Sequence, residues 1–245
     1  MSVATVLAYH RIVADRAREF FHDIAASPFE RQLRCILERT TDMENGFRLI
    51  PRRGPLCLTF DDGTADHRRV AELLSSLGLT GTFFVITGRL DAPGYLSKAD
   101  VRSMAAQGHR LASHSVTHRH LTSLSAGELA DELESSRHHI EALTQRAVDW
   151  LAPPGGVYSE AVVDAARRVG YQVVRTMDWG YATFPLCGRV ACLPVMSRYD
   201  IAMFERLLDG HAPLWVHSAK SLLKGAVGTR VYTLLRNWGD RLSAT

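Results

Sequence analysis

The sequence predicts an α/β protein of roughly seven parallel strands in a single domain, and three observations carry that prediction. Apolar runs of strand length alternate with amphipathic helical segments from end to end. No linker, repeat or low-complexity stretch interrupts them. The 245 residues, 46% hydrophobic and 22% charged, are ample for one large core or two small ones, and the missing linker favours one.

The elements follow in order. VATVLAY reads as a strand. SPFERQLRCILERT has a Ser-Pro helix start, with Phe29, Leu33, Ile36 and Leu37 on one face. LCLTF is a strand, DHRRVAELLSSLGL a helix closed by Gly78, and GTFFVI a continuous apolar strand buried on both faces. SKADVRSMAAQG opens with a Ser-x-x-Asp capping box and stops at Gly108. RLASH is a strand, and SAGELADELESSRHHIEALT is a long helix with its own Ser-x-x-Glu box. DWLAPP, SEAVVDAARRVG, YQVVRT, RVACLPV, AMFERLLDG and APLWVHS continue the alternation. Such units build either a parallel barrel or an open sheet. In both, functional groups collect at the carboxyl ends of the strands.

Several classes are excluded by composition. No apolar run is long enough to span a bilayer. MSVATVLAYHRI lacks the basic start, long apolar stretch and cleavage site of a secretion signal, so a cytoplasmic protein is expected. Cys35, Cys57, Cys187 and Cys192 match no zinc or redox spacing and read as reduced thiols. A net charge of +3 does not imply nucleic acid. Lys220, Lys224, Arg230, Arg236 and Arg241 face only Asp240, which divides the chain into a domain over 1–219 and a basic, helical tail over 220–245. That tail is a solvated face in the plain reading. In the sharper one it makes peripheral contact with an anionic membrane surface or substrate.

The chemistry-bearing residues sit at strand ends. LCLTF stops abruptly at Asp61 and Asp62, two like charges that do nothing for a strand. After RLAS comes His114-Ser115-Val116-Thr117-His118, whose spacing on a helical turn puts both rings on one face. Two histidines and one aspartate make a metal-ligating set with open positions for water and substrate. His217 closes APLWV, and DWLA runs into the rigid turn Pro153-Pro154-Gly155-Gly156. His120, His138 and His139 read as structural or exposed.

TFDDG, HSVTH, APPGG and WVH, in that order, resemble the successive motifs of the polysaccharide deacetylases, the NodB-homology group that forms carbohydrate esterase family four. The resemblance runs from about Tyr9-His10 to about His217, and YHRI…SPFERQL resembles the start of many bacterial members. It implies a distorted (β/α) barrel and a metal-dependent N-deacetylase that releases acetate and a free amine from an N-acetylated sugar. Asp61 would be the general base, Asp62, His114 and His118 the metal ligands, and His217 the general acid. The N–H of Gly155 would contribute to an oxyanion hole. Zinc is the default ion, with manganese, cobalt, nickel or iron as substitutes.

This chain departs from the pattern in places. Ala152 stands where the family's third motif begins with an arginine that orients the base; Arg175 is a substitute, or else a surface arginine. Trp215 replaces the leucine that lines the acetyl pocket. Asp178, beside Trp179, lies near the place of an aspartate that tunes the acid histidine, and His10 borders the pocket or is structural. Two rivals stay open: hydrolysis of another linear or cyclic amide, and a non-catalytic carbohydrate-binding relic. An aspartyl-phosphate phosphatase is excluded, because its signature needs a carboxylate where Phe60 stands.

Overall fold

The computed structural model describes residues 2–17, 20–44 and 47–212, and the chain as far as His211 is one compact unit. β1 (Ser2–Tyr9) leads through a small parallel pair, β2 (Ile12–Val13) and β3 (Ile24–Ala25), into α1 (Ala26–Arg39). An antiparallel hairpin, β4 (Thr41–Glu44) and β5 (Phe47–Ile50), precedes β6 (Gly54–Phe60). Next come α2 (His67–Ser76), β7 (Thr82–Val85), α3 (Lys98–Ala106), β8 (Arg110–Ser113) and α4 (Ala126–Thr144). β9 (Trp150–Leu151), α5 (Glu160–Val169), β10 (Val173–Trp179), β11 (Ala182–Phe184), β12 (Gly188–Pro194) and α6 (Ile201–Leu208) complete the order.

Seven strands close on themselves. β1 pairs in parallel with β6 on one side and β12 on the other. The rest of the circuit, β6 to β7, β8, β9, β10 and β12, is parallel throughout. The fold is therefore the barrel and not the open sheet. Two antiparallel additions flank it, β5 on β6 and β11 on β1. Neither they nor the β4–β5 hairpin were anticipated, although Asn45-Gly46 is a strong hairpin signal.

Strand alternation sorts the side chains. Ala4, Val6 and Ala8 of β1 join Cys57, Phe84, Ala112, Trp150, Val173, Val190 and Cys192 in one buried cluster. Every barrel strand contributes to it, so it is the barrel interior. The alternate residues face the helices. Tyr9 stacks on Phe60 at 5.3 Å, Phe60 on Phe83 at 4.8 Å, and Phe29 of α1 meets Tyr9 edge-on at 5.4 Å. Each such ring contributes about 2–3 kcal/mol by burial, and Phe60→Ala would cost about 3–5 kcal/mol. The small interior residues Ala8, Ala112 and Ala152 leave room at the mouth, which the functional groups fill.

Local rules hold at most helix starts. Both predicted capping boxes form, Ser97 with Asp100 and Ser125 with Glu128. α1 differs: it begins at Ala26 without a side-chain cap, and Ser27-Pro28 lie inside its first turn. Asp15 serves that turn from outside, accepting the Ser27 amide at 2.8 Å. The DWLAPP strand shortens to the two residues of β9. APLWVHS from Pro213 onward, with Trp215 and His217, lies outside the described residues, as does the 220–245 tail. Among the described residues, no helix is long and apolar enough to cross a membrane. All four cysteines are free, and only Cys187 is exposed.

Candidate active site

β6 delivers its two aspartates on different terms. Asp61 keeps strand register, its amide donating to the Tyr9 carbonyl at 2.9 Å, and it falls in phase with the inward-facing Cys57. Asp62 leaves the strand with a left-handed φ of 78°, followed by Gly63 at 65°. Successive strand residues ordinarily face opposite ways. The strained backbone at Asp62 is what lets both carboxylates serve one mouth.

Asp62 Oδ1 lies 3.4 Å from Nε2 of His114 and 3.4 Å from Nε2 of His118. Two ligands each about 2.1 Å from one ion, at a tetrahedral angle, are about 3.4 Å apart, so this spacing fits a divalent cation. The chemistry of the donors fits as well. His114 Nδ1 is 2.7 Å from the Ala152 carbonyl. A carbonyl only accepts, so Nδ1 carries a proton and Nε2 is the ring atom that a cation would take. Burial pushes the Asp62 carboxyl upward, but the bonds to His114 and His118 outweigh it and hold it far below the ordinary carboxylate range. Within the described residues, this trio is the one cluster with the makings of a metal site.

The two histidines are not on a helix. His114 follows β8 directly, and Ser115 and His118 are both left-handed, at φ 65° and 64°. The chain reverses within four residues, and the rings meet with centroids 4.9 Å apart. A strand-end turn achieves what the spacing was expected to achieve by helical pitch.

Asp61 is held by Arg175, which is buried and no surface arginine. Arg175 Nη2 donates to Asp61 Oδ1. Its guanidinium lies 4.9 Å over the Phe84 ring, and Nη1 reaches Met177 Sδ at 2.8 Å and Cys192 Sγ at 3.9 Å. Burial alone would raise the Asp61 carboxyl; the Arg175 charge, with smaller help from the histidines, keeps it below its ordinary value. Strand register explains the placement. Val173 and Val174 pair with Trp150 and Leu151, so Arg175 comes level with Ala152. The guanidinium stands one strand over from the position where the resemblance expects an arginine.

The remaining residues fall around this centre. His10 follows β1, in phase with Ala8, and its Nε2 is 3.9 Å from Asp61 Oδ2. Burial holds its imidazole below its ordinary value against the pull of Asp61 and Asp62. Its backbone carbonyl accepts from His67 Nε2 at 2.7 Å, a partner the sequence did not suggest. Gly155 turns with φ 63°, and a Cβ there would come 2.9 Å from the His120 ring. His120 is exposed, as expected, yet it packs over that turn. His138 is exposed and His139 half-buried on α4. Asp178 accepts from the Tyr158 hydroxyl and, at 3.1 Å, from Thr176 Oγ1. Glu132 was also missed. It is a carboxylate on the buried face of α4 with Leu129, Leu133, Ser136 and Ile140, and a charge in that pattern is itself a signal.

Comparison with known proteins agrees with the geometry. The family described as polysaccharide deacetylase matches residues 50–174, just over half of the chain. Peptidoglycan-N-acetylmuramic acid deacetylase PdaA of Bacillus subtilis is 36% identical over 131 residues, covering 50% of this chain and 48% of that protein. A chitooligosaccharide deacetylase of Sinorhizobium fredii is 30% identical over 143 residues, 54% of this chain and 65% of that one. The chain thus spans about half to two thirds of the length of these relatives. Streptococcus pyogenes deacetylase PplD, solved in complex with acetate, shares the fold with a TM-score of 0.74 at 20% identity, over 86% of this chain and 99% of that one. The matched segment contains Asp61, Asp62, His114 and His118, and the chain belongs to the polysaccharide deacetylase family.

Proposed function

We propose that the protein is a metal-dependent hydrolase that removes acetate from an N-acetylated sugar. The observation that carries this reading is the pairing of two things at one barrel mouth: an Asp-His-His trio spaced for a cation, and a second carboxylate kept ionised beside it by a buried arginine. Asp62, His114 and His118 would hold the ion, with zinc the favoured occupant. Bound there, it would polarise the amide carbonyl and acidify a water molecule.

The chain's own groups supply the rest. Asp61, ionised and adjacent, accepts the proton of the attacking water. Arg175 occupies Asp61 Oδ1, which leaves Oδ2 turned toward the mouth for that proton. We assign the oxyanion contact to the backbone of the Gly155 turn, which is left-handed and free of a Cβ. An amine cannot leave as an anion, so a protonated histidine must serve it, and His217 is the residue we assign to that step. The substrate we favour is a cytoplasmic precursor, nucleotide-linked, lipid-linked or a short oligosaccharide.

The test is acetate release from a panel of such sugars by zinc-loaded wild type and Asp61→Asn, with bound metal quantified in each. Release by wild type alone, at equal metal content, is expected. Wild-type protein that binds no divalent ion would overturn the reading, and so would an Asp61→Asn variant as active as wild type.

A further inference from the structure

We infer that Glu132 is a positioning residue for the His118 ligand, acting from α4 through the loop that carries His118. The inference rests on the proposed metal reading and extends it to a residue outside the ligand set.

His114 is fixed by its strand and by the Ala152 carbonyl. His118 has neither support, because it lies five residues beyond the end of β8 in a left-handed conformation. What fixes it is the conformation of the intervening loop. Glu132 Oε2 accepts the amides of Val116 at 2.8 Å and Thr117 at 3.0 Å, and Oε1 accepts the Thr117 hydroxyl at 2.5 Å. One carboxylate therefore gathers three donors from two consecutive loop residues. Glu132 is 5% exposed. Burial works to raise its carboxyl, but the Thr117 hydroxyl and the two amides outweigh it, and it is held below its ordinary value.

Two further supports converge on the same loop. Thr87 and Gly88 donate their amides to the carbonyls of Ser115 and Val116 at 3.1 and 3.0 Å. One helical turn beyond Glu132, Ser136 Oγ meets Ser113 Oγ at 2.7 Å. Ser113 Oγ accepts the Ser115 amide, and Ser115 Oγ accepts the His118 amide, each at 3.1 Å. The face of α4 that carries Glu132 and Ser136 thus acts as a template for the reversal of the chain. With the loop held, His118 Nε2 sits 3.4 Å from Asp62 Oδ1. Outer groups that orient ligands in this way are each worth about 10–100-fold in metal affinity.

The test is zinc affinity of the full chain, measured by competition with a chromophoric chelator and paired with thermal unfolding of the metal-free protein. Glu132→Gln keeps the volume but replaces an acceptor with an amide nitrogen that opposes the loop donors. It is expected to weaken zinc about 10–100-fold while remaining folded, and Thr117→Val, which removes one of the three donors, to weaken it less. A folded Glu132→Gln with wild-type zinc affinity overturns the inference, whatever its melting temperature. If Glu132→Gln does not fold, Thr117→Val decides: weakened zinc supports the inference, and unchanged zinc overturns it. Wild-type protein with no affinity for zinc or any other divalent ion overturns the metal reading itself.

Discussion

Replacing Arg175 by methionine tests the site where its energetics are steepest. The guanidinium and the Asp61 carboxylate are both buried, and among the described residues no other acid pairs with Arg175. Methionine fills similar space next to Phe84 and Cys192 but leaves Asp61 as an uncompensated charge. Removing one partner of a buried pair costs about 3–5 kcal/mol, a large share of the roughly 5–15 kcal/mol that holds a domain together. With a urea m-value of about 3 kcal/mol/M, the midpoint should fall by about 1–1.7 M. The measurement is urea unfolding in the presence of a chelator, so that metal does not contribute. Adding Asp61→Asn to Arg175→Met removes the stranded charge, and most of the lost stability should return. A methionine variant as stable as wild type, or a double variant no better than the single, would refute the argument that Arg175 neutralises Asp61.

Two other outcomes are expected. In Gly88→Ala, the new Cβ would come 2.6 Å from the Val116 carbonyl; this should cost about 1–3 kcal/mol and loosen zinc retention, because the displaced loop carries His118. Equilibrium unfolding and dialysis against chelator check both effects. Burial, reinforced by neighbouring His10, pushes the His22 imidazole from 6.5 down to about 4. The folded protein therefore prefers neutral His22, while the unfolded chain takes up a proton below about pH 6.5. Stability should fall as pH drops through that window and level off below about pH 4. His22→Phe should show a shallower decline between pH 7.5 and 5, and an equal decline would assign the effect elsewhere.

The barrel was legible because its strands are apolar runs in phase with their helices, and the ligands because they stand at strand ends. Period-two alternation would have gone further. His10 is in phase with Ala8, Asp61 with Cys57, His114 with Ala112 and Arg175 with Val173, which places all four at the interior mouth. Other features depend on conformations that local sequence does not specify. Asp62, Ser115 and His118 adopt left-handed backbone without being glycine, and contacts from α4 and the Thr87–Arg89 turn maintain part of that geometry. Spacing alone therefore suggested a helical turn that does not exist. Glu132 was hidden in a helix whose capping box and apolar face looked complete without it.

Arg175 stands level with Ala152 across a single strand gap, and its bond to Asp61 joins residues 114 apart in the chain. A pattern that scores residues by their order along the chain records a loss at Ala152. One that scores points in space records no loss. In a closed barrel every strand end looks onto the same mouth, so a charge needed there has as many suppliers as there are strands. Supply can pass between neighbours through a form that carries both arginines or neither. Divergence within such a site is a change of address, and relatives that look incomplete by motif are best compared by where their charges lie.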